Sequence, residues 1–249
     1  MGKGNKQEQE PTHEEDLKMD PRRILSWTER LWTTDVGLTT LVVSLLVYIF
    51  VLIPLGEPGW VRFLTNICFS IILVAGAATV SKNRILRMLV YSWGLLTFVF
   101  IWVRYLFPQF DLHIVNLYLA LVFLFLLSVL ILGQMFREGP TTSHRIMGGV
   151  AVYLILGVIW FIAYYLIALQ MPQAFSFQGF SASGDSEALK SHLFYFSFVT
   201  LTTIGYGDIV AAHPMVRMLV ILEGVVGQLF PAILIARLVS LQLQSKQKM

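Results

Sequence analysis

Charge is scarce in this chain. Asp, Glu, Lys and Arg make up 13% of its 249 residues, against about a quarter in a soluble globular domain. Hydrophobic residues reach 56%, and the mean hydropathy is +0.71. An ordinary soluble domain is excluded, and apolar runs set the architecture of an integral membrane protein. Cysteine is nearly absent. Cys68 stands alone inside an apolar run, which excludes an intrachain disulfide or a cysteine metal cluster and leaves helix packing. The net charge of +3 is small. Basic loops on one side of a membrane account for it, so no nucleic-acid partner is implied. No apolar core of the signal-peptide kind follows Met1, and polar Gly2 to Asp20 is expected to be disordered. Hydrolase machinery is missing too. Gly179-Phe180-Ser181-Ala182-Ser183 lacks the second glycine of a nucleophile elbow and has no accompanying His/Asp set, so no enzyme is expected.

What is present is a series of long apolar runs. Pro21-Arg22-Arg23 opens a stretch to Trp32 in which Ile24, Trp27 and Leu31 share a helical face. It reads either as an interfacial helix on the cytoplasmic leaflet or as a plain lead-in to the first span. Six spans follow, at about Asp35–Leu55, Trp60–Val80, Ile85–Phe107, Leu112–Phe136, Ile146–Leu169 and Met215–Leu241. Each can cross a hydrocarbon core of roughly 30 Å, which takes about 20 residues. Gly76, Gly94 and Gly157 inside spans mark close helix approach. The expected organisation is a cytoplasmic tail at 1–34, a four-helix membrane domain at 35–138, a pore domain at 146–241 and a short tail at 242–249. Lys82, Arg84 and Arg87 follow the second span, and Arg137 and Arg145 the fourth, whereas Pro54–Gly59 and Pro108–Asp111 carry no basic residue. The positive-inside rule then places both termini in the cytoplasm. Arg62, Lys190 and Arg217 on the opposite side are a mild dissent.

Between spans five and six lies Thr203-Ile204-Gly205-Tyr206-Gly207-Asp208, preceded by a short apolar helix from about Ala188 to Thr202. Asp185 or Ser186 can cap that helix near Glu187. Its carboxyl end would present the negative end of a dipole to a cation. Two glycines alternating with bulky residues let successive carbonyls point the same way, because glycine reaches backbone angles closed to others.

This segment resembles the potassium-channel filter, usually written T-V-G-Y-G, with Ile204 in place of valine. The resemblance implies an all-α membrane protein of six transmembrane helices with a re-entrant pore helix and filter between helices five and six. It implies ion sites lined by Thr203, Ile204, Gly205 and Tyr206, with Gly207 completing the motif and potassium as the permeant ligand. No other cofactor is implied. Tyr195 and Phe196 stand where voltage-gated potassium channels carry a Trp-Trp pair, which implies a cuff around Tyr206 supported by Asp208. Val199 stands where some bacterial channels place a glutamate behind the filter. In the last span, Gly224 followed seven residues later by Pro231 resembles the inner-helix hinge and kink of that family. Gly227 is a second hinge candidate, and Ile233 replaces the second proline of Pro-x-Pro.

Glu223 and Gln228 interrupt an apolar span, where polar groups need a partner or water. Glu223 can brace the pore helix in place of the missing buttress, with Ser197, Thr200, Thr202 or Tyr195 as hydroxyl partners, or it can be held with no role in conduction. The fourth span has no Arg or Lys, so the charged sensor of voltage-gated channels is missing. Arg104, one turn inside the third span, is expected to snorkel to outer headgroups. Only a dozen residues follow Arg237, too few for a ligand domain, and Arg237 with the terminal lysines suits the cytoplasmic headgroup layer. The expected function is a homotetrameric potassium-selective channel of the plasma or inner membrane, not strongly voltage-gated, with membrane lipid around it. Alternatives are a weakly selective cation channel and a potassium uptake or symporter subunit. The gating stimulus and any accessory subunit stay open.

Overall fold

A computed structural model describes residues 35–56, 58–78, 84–136, 143–178 and 186–247. The expected helix at Pro21–Trp32, the polar N-terminus, Lys82, Arg137, Asp185 and the serine-rich loop at 179–183 lie outside these residues. Helix α1 (Asp35–Val47) continues as a π turn over Tyr48–Leu52, and Pro54 and Gly56, at φ +75°, end it. α2 (Gly59–Ala78) starts just after Pro58. Proline there has no amide to leave unpaired. α3 (Arg84–Leu106) stops short of Pro108, which disfavours helical angles in the residue before it. α4 (His113–Met135) and α5 (Ser143–Gln170) complete the first part of the molecule. Then come β1 (Phe175–Phe177), α6 (Ser186–Leu201), β2 (Ile209–Ala211) and α7 (Pro214–Gln247).

Among the described residues, five helices are long and apolar enough to cross a membrane, over Gly59–Ala77, Met88–Leu106, His113–Met135, Ile146–Gln170 and Pro214–Ser240. The first expected span is shorter, with Gly37–Leu52 as its apolar stretch. Sixteen residues rise about 24 Å, less than the hydrocarbon thickness of roughly 30 Å. The regular structure of the described residues is otherwise helical, with one departure from the all-helical expectation among them. β1 and β2 pair antiparallel, Phe175 opposite Ala211 and Phe177 opposite Ile209. This ribbon ties the segment after α5 to the segment after the filter.

The core runs through α1, α2, α4 and α5, where Leu41, Leu45, Ile72, Phe123, Leu124, Leu127 and Ile155 are buried. Three glycines let helices approach. A Cβ on Gly76 would lie 2.6 Å from Leu127, on Gly94 3.1 Å from Phe123, and on Gly157 2.5 Å from the Phe198 ring. The last of these seats α6 against α5. In the α5 span 56% is buried, in the α7 span 11%. The outer face of α7, with Met218, Ile221, Val225, Leu229 and Ile233, is exposed in the single chain.

Candidate functional site

α6 begins at Ser186 and ends at Leu201. Glu187 in its first turn complements the positive end of the helix dipole. Its carboxylate is 3.8 Å from the Arg62 guanidinium on α2. Both groups are about half exposed, so the pair contributes roughly 0–1 kcal/mol. Beside the same end of α6 is a cavity of about 790 Å³, lined among others by Arg62, Arg104, Asp111, Asn116 and Lys190. Arg104, expected among headgroups, faces this cavity. Asn116 is buried there and its Oδ1 has no hydrogen-bond partner.

At the other end, the chain folds directly onto the helix it has left. The Thr203 amide donates to Thr200 O, and the amides of Ile204 and Gly205 donate to Val199 O. The last carbonyls of α6 are thereby satisfied, and the start of the motif is anchored by its N–H groups. Its conformation then alternates. Thr203 has φ +60°, Gly205 +56° and Gly207 +81°, whereas Ile204 and Tyr206 keep negative φ. An alternation of this kind is what allows successive carbonyls to face one side. For Gly205 and Gly207 the space around a built Cβ is open, so the positive φ is what demands glycine. Thr203 has a Cβ and adopts this region at a cost of roughly 1–2 kcal/mol. The motif lies bare in the single chain, with Ile204 55% and Tyr206 70% exposed.

The residues expected to support it fall in two places. Tyr195 and Tyr206 stack with ring centroids 6.5 Å apart and planes 1° apart, and the Tyr195 phenol lies near the Asp208 side chain. Asp208 Oδ1 also accepts the Ile209 amide. Phe196 points elsewhere and is buried, with its ring against Tyr164 and Phe175. Successive helical residues diverge by about 100°, so two neighbours cannot both face Tyr206 within one chain.

Glu223 is 0% exposed. Its Oε2 is 2.6 Å from the Tyr164 hydroxyl and its Oε1 is 2.8 Å from Ser197 Oγ. Of the partners expected from the sequence, Ser197 is there. Thr202 bonds back to Phe198 O, and Tyr195 faces Asp208 instead. Tyr164 was missed. The signal available for it was a phenol inside an apolar span, which needs a partner as much as a carboxyl does. Glu223 thus joins α5, α6 and α7 at one point.

The two hinge candidates differ sharply. α7 runs unbroken through Gly224, Gly227 and Pro231. A Cβ on Gly227 would sit 1.9 Å from Leu201 O, whereas nothing lies within 4 Å of one on Gly224. Gly227 is a place where two backbones touch. Gly224, Val225 and Gln228 line a shallow concavity together with Thr203. Farther along, Arg237 Nη2 donates to Phe136 O at the end of α4.

Residues 149–243 match a family model described as "Ion channel". The matched stretch runs from the first turns of α5 to near the end of α7 and contains every residue of the site. That stretch is similar to an ion-channel domain, and the described residues form several helices long and apolar enough to cross a membrane. No curated protein matches the chain.

Proposed function

We propose that the chain is one subunit of a potassium-selective channel in which four copies surround a common axis. The observation that carries this reading is the alternation of φ along Thr203-Ile204-Gly205-Tyr206-Gly207. It aligns carbonyls of the kind that replace the water around a dehydrated cation. Thr203 to Tyr206 supply the potassium sites. Tyr195 and Asp208 hold Tyr206 from outside, and Glu223 braces the helix behind. One strand cannot enclose an ion, and the bare motif and the exposed face of α7 are the surfaces that further copies would cover. In this reading α1 also crosses the membrane, both termini are cytoplasmic in a plasma or inner membrane, and the ribbon of β1 and β2 lies outside. α4 has no Lys or Arg, so the channel is not strongly voltage-gated.

The test is the reversal potential of the reconstituted protein between unequal potassium and sodium solutions. A value near the potassium equilibrium potential is expected. A value tracking both ions equally would replace this reading with a weakly selective cation channel. An absence of current would remove the channel reading.

A further inference from the structure

Ser197 has one hydroxyl hydrogen and two oxygen neighbours. Gly157 O is 2.9 Å from its Oγ and Glu223 Oε1 is 2.8 Å away. A peptide carbonyl only accepts, and so does an ionised carboxylate. With Glu223 ionised, one of these two contacts would join lone pairs with no hydrogen between them. Ser197 and Glu223 are both 0% exposed, so bulk water is not at hand to relieve it. Leaving such a group unsatisfied in the interior is costly.

With Glu223 protonated the hydrogens close without remainder. The Tyr164 hydroxyl donates to Oε2. Oε1 donates to Ser197 Oγ, and Ser197 donates to Gly157 O. Three hydrogens make three bonds running in one direction, from α5 through α7 and α6 back to α5. The charged and titratable surroundings agree with a neutral group. From α5 the neighbours are the phenols of Tyr164 and, more distantly, Tyr153. On α6, His192 and Lys190 lie five and seven residues before Ser197, toward the other end of the helix. On α7 itself, Arg217 and Arg237 are six and fourteen residues away. Among the described residues no ion pair reaches Glu223, whose side-chain partners are Tyr164 and Ser197.

We propose that Glu223 carries its proton at neutral pH and that Tyr164, Glu223 and Ser197 are positioning residues, clamping α6 and the filter that follows it through one directed chain of hydrogen bonds. The proposal deepens the reading of α6 as a pore helix and rests on it for the effect on current. The protonation itself does not depend on that reading. Loss of the proton reverses the Ser197 bond, because the hydroxyl must then turn to the carboxylate and release Gly157 O. The direct bond from α6 to Gly157 O on α5 is lost, and α6 is then held to α5 only by way of Glu223 and Tyr164.

The test uses the full chain in lipid vesicles. Infrared spectra of the parent minus Glu223→Gln, near neutral pH, should show the carbonyl stretch of a protonated carboxyl, shifted in heavy water. Finding only carboxylate bands would overturn the proposal. Should Glu223→Gln not assemble, the parent spectrum decides alone, since solvated carboxyls are ionised at that pH. Ser197→Ala should move the band, because the acceptor of that hydrogen is gone. In single-channel records the Gln variant should match the parent near neutrality, since its amide donates to Ser197 and accepts from Tyr164. Raising the pH should shorten parent openings by about tenfold, the weight of one hydrogen bond of about 1.4 kcal/mol, and leave the Gln variant unchanged. An identical alkaline response in both would overturn the role in positioning. An infrared band with no potassium current in either protein would uphold the protonation and remove the channel reading and the positioning role with it.

Discussion

Gly227→Ala is the substitution whose consequence follows most directly from distances. A methyl group at this position would lie 1.9 Å from Leu201 O and 2.8 Å from Leu201 C. Ordinary contact begins at 3.4 Å, so about 1.5 Å of separation is missing. Neither side can yield by turning a rotamer, since both are backbone. α7 and the end of α6 must part, or one must bend. Overpacking of this kind costs about 1–3 kcal/mol where side chains can rearrange, and a backbone contact sets the upper end as the expectation. Leu201 is two residues before Thr203, so the displacement is delivered to the start of the proposed filter. Its carbonyl also receives the Tyr153 hydroxyl at 3.3 Å, a bond the methyl would disturb. The control is Gly224→Ala. No atom of the chain lies within 4 Å there, and alanine favours a helix by about 0.5–1 kcal/mol. Thermal unfolding of the purified protein and potassium flux from vesicles would be compared for both variants. Gly227→Ala should melt lower and lose most of its flux, while Gly224→Ala should melt no lower than the parent. Equal behaviour of the two would refute the argument that Gly227 is conserving a close approach of backbones in this fold.

Gly205→Ala or Gly207→Ala should abolish potassium current while the protein still inserts in the membrane, because each glycine has positive φ; normal selective current from either would show that this strand is not the filter. The conductance-voltage relation should be shallow, since α4 carries no Lys or Arg; a slope equivalent to several gating charges per subunit would contradict it. Native mass measurement in mild detergent should give four copies, and a stable monomer would remove the fourfold arrangement. Tyr195→Phe should keep the ring stack on Tyr206 and remove the hydroxyl beside Asp208, so openings should shorten with selectivity kept; unaltered openings would show that the hydroxyl is idle.

Much of this arrangement could be read from residues alone. Spans two to six were marked by apolar length, and their ends by Pro58, Pro108 and the charged loops. The backbone at Gly205 and Gly207 was legible because positive φ favours glycine, which leaves a trace in sequence. The first helix was read too long. Its apolar run extends to Leu55, but the helix ends at Leu52, just before Pro54 and Gly56. The ribbon of β1 and β2 escaped notice because three-residue strands carry almost no periodicity. Ser197 was among the partners named for Glu223, yet Tyr164 was not. It lies 59 positions away, and only the crossing of α5 and α7 brings the pair to 2.6 Å. Phe196 was grouped with Tyr195 on the resemblance to a Trp-Trp pair, and the turn of about 100° between successive helical residues takes its ring to Tyr164 and Phe175.

The bare filter strand has a consequence for the life of the protein before it works. Ile204 and Tyr206 are among the most exposed large side chains of the single subunit, and Thr203 sits in a backbone region that it occupies at a cost. On the proposed fourfold arrangement, this part of the chain reaches its final energy only when neighbours arrive. A newly inserted subunit therefore displays the features by which cells recognise unfinished membrane proteins, and it keeps displaying them in proportion to how long it waits. Abundance then depends on the rate of synthesis through mass action: halving the supply of subunits should lower the number of channels by more than half.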